Sequence, residues 1–307
     1  MHKAWVGHAF IIFTQVLLGI NIPITRDLLL NYLSPLGYIA VRAVAAALFF
    51  WSVQCLLPRE KIERRDFFMI LLGGFLGFVL SQYLTSLSLI FTTPVYFALI
   101  LALSPVFVLL LEAVFFHERI NRRKLIGVAL GIAGAALLAV RSIFDSESTG
   151  SNNLLGIGIA VLSIGSFAVY VVICTDISRK YQPITQMKWI FTLSSGLTLP
   201  LLMLSGSWRT QPLLTAPDWH IGVLEIAFII VFCTICAYTL IPLGLRTVSA
   251  SAYSIYMNLQ PVTAAITAIA VGMDAFSWDK PLALLLVLSG AYIVTARHSR
   301  HGPVRER

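Results

Sequence analysis

Apolar residues come in long unbroken blocks along this chain, and polar residues gather in short stretches between them. Blocks of this length show neither the period of two of a half-buried strand nor the single stripe of a surface helix. A helix needs about 20 consecutive apolar residues to cross a bilayer, where each backbone N–H and C=O must be satisfied within the segment. The blocks predict ten helices, at 4–25, 34–56, 67–89, 93–116, 124–141, 153–175, 185–205, 219–243, 249–273 and 279–297. Lys3 ahead of the first block resembles the start of a secretory signal. That block is too long and no small-x-small cleavage site follows, so it is read as a retained span.

Composition narrows the picture without changing it. Of 307 residues, 58% are hydrophobic and 12% charged, against about 25% charged in soluble domains. That is too little charge to keep a water-soluble globule of this size covered, and too much apolar surface for a disordered chain. A strand barrel would alternate apolar and polar residues in segments of about ten, which this chain does not do. The fold class expected is therefore all-α and integral to the membrane.

The net charge of +8 resolves into topology and argues against a nucleic-acid partner. With the N-terminus placed inside, sixteen Lys and Arg fall in inside segments and four (Arg26, Arg141, Arg209, Lys280) in outside ones, while Arg42 and Lys188 lie within helices. Cytoplasmic loops collect Lys and Arg, so both termini are expected in the cytoplasm, with the protein multi-pass in the cytoplasmic (inner) membrane. The four cysteines all lie in apolar blocks and imply no disulfide framework; Cys233 and Cys236 read as small packing residues. The pattern carries no signature of oligomeric state.

The chain also resembles itself. Shifted by 156 residues, Leu103-Ser104-Pro105-Val106 falls on Leu259-Gln260-Pro261-Val262, Glu118 on Asp274, Lys124 on Lys280, and Gly134-Ala135 on Gly290-Ala291. A shift of 149 pairs Gly7 with Gly156 and Asp27 with Asp176. Each half then holds five helices. Five is odd, so the second half enters the membrane upside down relative to the first. Inverted repeats of this kind mark transporters, with the substrate site near the midplane between the halves. The domain division expected is 1–141 for the first repeat, 142–152 for an outer linker, 153–297 for the second repeat and 298–307 for a basic cytoplasmic tail.

Two stretches carry a family resemblance: LALSPVFVLLLEAVFFHERINRRKLIGVALGIAGAALL in the first half and NLQPVTAAITAIAVGMDAFSWDKPLALLLVLSGAYIV in the second. With ten helices as two inverted five-helix repeats, they resemble the EamA family of the drug/metabolite transporter superfamily. Arg42 matches an Arg common in the second helix of that family. The second copy departs from the pattern, with Asp274 for Glu and Ala275-Phe276 for an Arg-apolar pair. The resemblance implies a secondary carrier of a small metabolite working by alternating access, in the export direction, with membrane lipid, its small-molecule substrate and protons as partners and no cofactor. An amino-acid-like solute is the first expectation. A nucleotide-sugar or lipid-linked carrier of the same fold stays open, as does a membrane-embedded enzyme.

Candidate binding residues are the polar groups at helical spacing within apolar blocks. Tyr253, Tyr256 and Gln260 (i, i+3, i+7) share a face of the ninth helix, and Tyr96 and Ser104 share a face of the fourth. Gln82 and Tyr83 give the third helix its most polar stretch near the midplane, and Tyr170 stands similarly in the sixth. Arg42 lies too deep in the second helix for a loop charge. Interhelical packing is the competing reading for each. Asn258, on another face, reads as helix glue. Lys188, about four residues from a helix end, reads as a snorkelling side chain.

Glu112 and Glu225 are the carboxylates expected to couple protons, since ionisable groups within spans are functional candidates by default. Pro105 and Pro261 free the carbonyls of Leu101 and Met257, which is tolerable where those carbonyls line a cavity. Glu118 and Asp274 read as structural anchors at helix ends. Catalysis has little support: His117-Glu118 opens a zincin motif, but position 121 is Asn. No metal site is expected.

Overall fold

The computed structural model describes residues 2–58, 60–115, 122–144, 150–245, 247–248, 253 and 256–295. These residues are helical almost throughout, with no strand among them. Each of the ten apolar blocks is overlapped by helix. In chain order the helices are α1 His2–Asn31, α2 Pro35–Cys55, α3 Arg64–Gly74, α4 Ser81–Phe91, α5 Pro94–Leu101, α6 Ser104–Phe115, α7 Arg122–Phe144, α8 Asn153–Lys180, α9 Pro183–Leu204, α10 Trp219–Phe228, α11 Ala237–Leu245, α12 Leu259–Ala270 and α13 Asp279–Thr295. Among the described residues, seven continuous stretches are long and apolar enough to cross a membrane: Trp5–Asn31, Pro35–Cys55, Arg64–Phe91, Pro94–Phe115, Asn153–Cys174, Pro183–Leu204 and Trp219–Ile241. Lys124–Leu137 in α7 and the α12 helix are shorter apolar stretches. Leu48, Leu162, Leu224 and Ile266 stand exposed on the outer surface, where a bilayer would solvate them.

Local chemistry sets the helix starts. Pro35 and Pro94 occupy first-turn positions, where the missing N–H is not needed. Before them, the hydroxyls of Ser34 and Thr93 accept from the backbone N–H groups of Gly37 and Tyr96, satisfying donors that a helix start leaves open. Asn152 caps α8 in the same way through Leu155 N–H.

Four helical interruptions go beyond the sequence expectation. α3 and α4 are joined by a π-helical segment at Phe75–Leu80, and α10 and α11 by another at Ile229–Cys236. The third is the turn at Ala102-Leu103, which divides the fourth expected helix into α5 and α6. Pro105 cannot donate to Leu101; the Ser104 hydroxyl donates to the Leu101 carbonyl instead, at 2.6 Å. A matching turn residue, Asn258, precedes α12 and Pro261. In the internal alignment with a shift of 156, positions 102 and 258 coincide, and the two π-helical segments coincide to within about two residues.

Small residues let helices meet backbone to backbone. A methyl group built on Gly290 in α13 would lie 2.5 Å from the Gly127 carbonyl oxygen of α7. One on Gly77 would lie 2.5 Å from the ring of Tyr170.

The bundle has two ends. At the end holding residue 2, His8 Nδ1 and Tyr256 Oη are 2.9 Å apart, and Lys180 reaches Asp66 at 2.6 Å and Glu63 at 2.9 Å. Those carboxylates push the Lys180 ammonium above the usual lysine range, Asp66 through its hydrogen bond first. At the far end Arg26 donates to the carbonyls of Leu89 (3.2 Å) and Met273 (3.4 Å). There the Thr93 hydroxyl donates to Asp274 at 2.6 Å.

Candidate functional site

A cavity of about 280 Å³ lies inside the bundle. Its walls come from both halves of the sequence: α1, α2, α4, α5 and α6 from the first, and α8, α11, Tyr253, Met257, Asn258, Gln260 and Pro261 from the second. Both interruptions next to a proline border it, through Ala102 and Pro105 and through Asn258 and Pro261. Irregular backbone at membrane depth is tolerated where it lines a cavity. Toward the far end the lining is tightly buried: Thr25 and Tyr38 are 2% exposed and Leu89 1%.

Arg42 anchors the polar side of the cavity. It does not snorkel; it is 8% exposed and aims inward. Its Nε donates to Thr234 Oγ1 at 2.9 Å, and its Nη1 donates to Gln82 Oε1 at 3.0 Å and to Tyr38 Oη at 3.3 Å. Thr234 lies in the second π-helical segment, and Gln82 follows the first by two residues. One guanidinium thus ties together the two places where helical winding widens. Ser163 of α8 closes the wall near Gln82. Its hydroxyl donates to the Ser81 carbonyl at 2.8 Å and stands 2.8 Å from Thr85 Oγ1.

Of the residues singled out in the sequence, Arg42, Gln82, Ser104, Tyr253, Gln260, Pro105 and Pro261 line this one cavity. Gln260 donates to Gln15 of α1. Tyr96, Tyr83, Tyr170 and Tyr256 are not brought to it. Tyr96 is fully buried, with Lys280 Nζ 5.5 Å from its ring centre. Tyr83 points away at 38% exposure. Tyr170 packs edge-on to Phe78. Tyr256 meets His8, so the shared face expected for Tyr253, Tyr256 and Gln260 splits. Asn258, expected on another face, lines the same cavity as Gln260. The turn at Asn258 breaks the regular spacing on which those face assignments rest.

Glu112 is half-buried in α6, outside the cavity lining. Glu225 is half-buried in α10, where Asp27 of α1 is its carboxyl neighbour and its Oε2 has no hydrogen-bond partner. Asp274 is buried, with Lys280 Nζ 2.8 Å from its Oδ1. Lys188 is buried against the rings of Trp51 and Trp189 and donates to Gln54. Glu118 lies outside the described residues, as does the 298–307 tail. Cys233 is buried with its thiol toward the Leu17 carbonyl.

Sequence reasoning missed Asn21, Thr25, Tyr38, Ser163 and Tyr238, which also line the cavity. A signal for two of them exists: Asn21 and Thr25 stand four residues apart in an apolar helix, so they share a face.

Comparison with known proteins supplies the remaining observations. The profile described as "EamA-like transporter family" matches residues 5–140 and again 154–296. An "Uncharacterized transporter" of Methanothermobacter thermautotrophicus is 24% identical over 310 residues, covering 96% of this chain and 87% of its own. One of Archaeoglobus fulgidus is 24% identical over 273 residues, covering 87% and 91%. A solved structure described only as "Crystal structure of protein" has the same fold at a TM-score of 0.60 and 15% identity, covering 95% of this chain and 96% of that one.

Proposed function

Because the chain belongs to the EamA-like transporter family, a family of multi-pass membrane transporters, we propose that it is a secondary carrier. It moves a small metabolite across the cytoplasmic membrane by alternating access, and export of an amino-acid-like solute is the favoured case. In this reading the ten helices form two inverted five-helix repeats, 1–141 and 153–297, joined by an outer linker at 142–152 and followed by a cytoplasmic tail at 298–307. Both termini lie in the cytoplasm, and the far end of the bundle faces outward.

The observation that carries the reading is the cavity itself. It is lined by residues of both halves of the sequence, is bordered by an interrupted helix from each, and mixes aromatic walls with hydroxyls and amides. Discontinuous helices at the repeat interface are where transporters of this architecture hold substrate. Arg42, Gln82, Ser104, Tyr253 and Gln260 contact the solute. Pro105 and Pro261 keep the interruptions, which serve as pivots. Asp274 fixes the link to α13. Glu225, beside Asp27, is the favoured proton-coupling carboxylate, ahead of Glu112.

The alternative of a nucleotide-sugar or lipid-linked cargo fits less well. About 280 Å³ is just below the low end of ordinary small-molecule sites, about 300–1,000 Å³, and a nucleotide sugar needs more room and more cationic lining. The deciding experiment is a solute screen with purified protein in liposomes, with and without a pH gradient. Saturable flux above that of empty liposomes supports the carrier. Its complete absence across metabolite classes removes it.

A further inference from the structure

Arg42, in the cavity wall, differs from Lys280 and Arg26, the two well-buried cations described at the far end. Lys280 faces the Asp274 carboxylate at 2.8 Å. Arg26 lies within the field of Asp274 and Asp27 and donates to two backbone carbonyls. The partners of Arg42 are all neutral: a threonine hydroxyl, a glutamine amide and a tyrosine hydroxyl, with a second phenol, Tyr238, alongside. A guanidinium carries five N–H donors and stays protonated. Burying such a charge within a membrane without an opposite one is among the most costly arrangements a fold can hold.

The rest of the described lining supplies no opposite charge. Among the described lining residues no carboxylate appears, and the polar groups are hydroxyls and amides such as Asn21, Thr25, Ser163 and Gln260. The cavity is thus positive, polar on one side and walled elsewhere by rings, among them Phe97, Phe167 and Tyr253.

We infer that the solute presents an anionic group, a carboxylate on a small apolar body, to the Arg42 guanidinium, and that this contact selects the cargo. The inference rests on the carrier reading above and names the chemistry of what is carried. A carboxylate supplies the missing opposite charge and matches the planar fork of donors. A ring or short branched chain then fills the remaining volume against the aromatic walls. In a zwitterion the carboxylate is the charged handle, and the amine is left to neutral acceptors.

The test pairs acids with their amides. Full-length protein in detergent is titrated with 3-phenylpropanoate and phenylalanine, and with 3-phenylpropanamide and phenylalaninamide, at fixed ionic strength. Thermal unfolding reports binding. Each acid is expected to bind about 10- to 100-fold tighter than its amide, the range for one hydrogen-bonded charge contact. Arg42→Gln should erase that difference, and Arg42→Lys should keep part of it.

Gln82→Glu covers the case in which loss of Arg42 prevents folding. It keeps the side-chain shape and places a carboxylate where Gln82 Oε1 now stands, 3.0 Å from Nη1. It should abolish the preference for acids. Wild-type protein that binds no acid better than its amide, or a Gln82→Glu protein that keeps the preference, overturns the inference. Flux in liposomes separates the two levels. Acid binding without flux counts against the carrier. Flux of neutral or cationic solutes without acid preference leaves the carrier standing and removes the inference.

Discussion

Lys280 and Asp274 form a buried ion pair, Nζ to Oδ1 2.8 Å, with side chains 5% and 0% exposed. Thr93 donates to the other carboxylate oxygen at 2.6 Å, so the pair joins the start of α5 to the link between α12 and α13. Removing one partner leaves the other buried and uncompensated. Lys280→Met is expected to cost about 3–5 kcal/mol of stability, while the double variant Lys280→Met/Asp274→Leu recovers most of that loss. Unfolding temperatures in detergent check both, and a single variant as stable as wild type would sink the claim.

Tyr32 donates to Asp218 at 2.7 Å, and its phenol is pushed up to about 12, by that hydrogen bond first and by burial second. The folded phenol thus ionises later than the unfolded one, whose value is about 10. The stabilisation is complete below pH 10 and is lost as pH rises toward 12. Wild type should therefore be more stable than Tyr32→Phe at pH 8 to 9, with the advantage shrinking through pH 10 to 11. A difference that stays flat across that range contradicts the assignment.

The seam between α7 and α13 leaves no room for a side chain at Gly290, where the nearest atoms are backbone atoms of Gly127 and Gly131. Gly290→Ala should lower stability by about 1–3 kcal/mol. Gly158, with nothing within 4 Å of a built methyl, is the control. Gly158→Ala should leave the unfolding temperature unchanged or raise it slightly.

The tyrosines of the ninth expected helix separate by function. Gln260→Ala should reduce transport by about tenfold, the effect of roughly one buried hydrogen bond. Tyr256→Phe should leave flux near wild type, because its hydroxyl meets His8 and not the cavity. Equal loss in both would return Tyr256 to the binding face.

If Glu225 couples protons, Glu225→Gln should carry solute down its own gradient yet lose the response to a pH gradient. Glu112→Gln should keep that response. The comparison is made by counterflow and by gradient-driven flux in the same liposomes. A normal pH response in Glu225→Gln would exclude this carboxylate.

The helical, membrane-embedded character of the chain was legible in the blocks, since about 20 apolar residues in a row have few other uses. Polar residues stranded in apolar blocks were legible as candidates, and Arg42, Gln82, Ser104, Tyr253 and Gln260 do meet at one cavity. Which way Tyr96 points was not legible, because its helix is apolar on every side and periodicity does not separate an inner face from one that meets lipid or a neighbouring helix. Tyr83 was misassigned although Ser81, Gln82, Thr85 and Ser88 share one side of α4 and leave it on the other. The turn at Ala102-Leu103 escaped notice because Pro105 announces a lost hydrogen bond, and the break falls two to three residues earlier. The π-helical segments escaped for a plainer reason: FLGFVL and IIVFCTIC look like any apolar helix.

Those widened segments fix an angular relation. A π-helical segment takes up one extra residue within an otherwise regular helix, and each residue of an α-helix turns the chain by about 100°. Winding Phe75–Leu80 as regular α-helix with no residue removed would rotate everything after it, so that Gln82 would swing about a quarter-turn away from Arg42, whereas deleting one residue along with the widening would keep the phase. Regular winding of Ile229–Cys236 would shift the residues of that span in the same way. The extra residue in each span acts as a phase setting, and the spacing of the chain, as much as its side chains, decides that the guanidinium meets both Gln82 and Thr234.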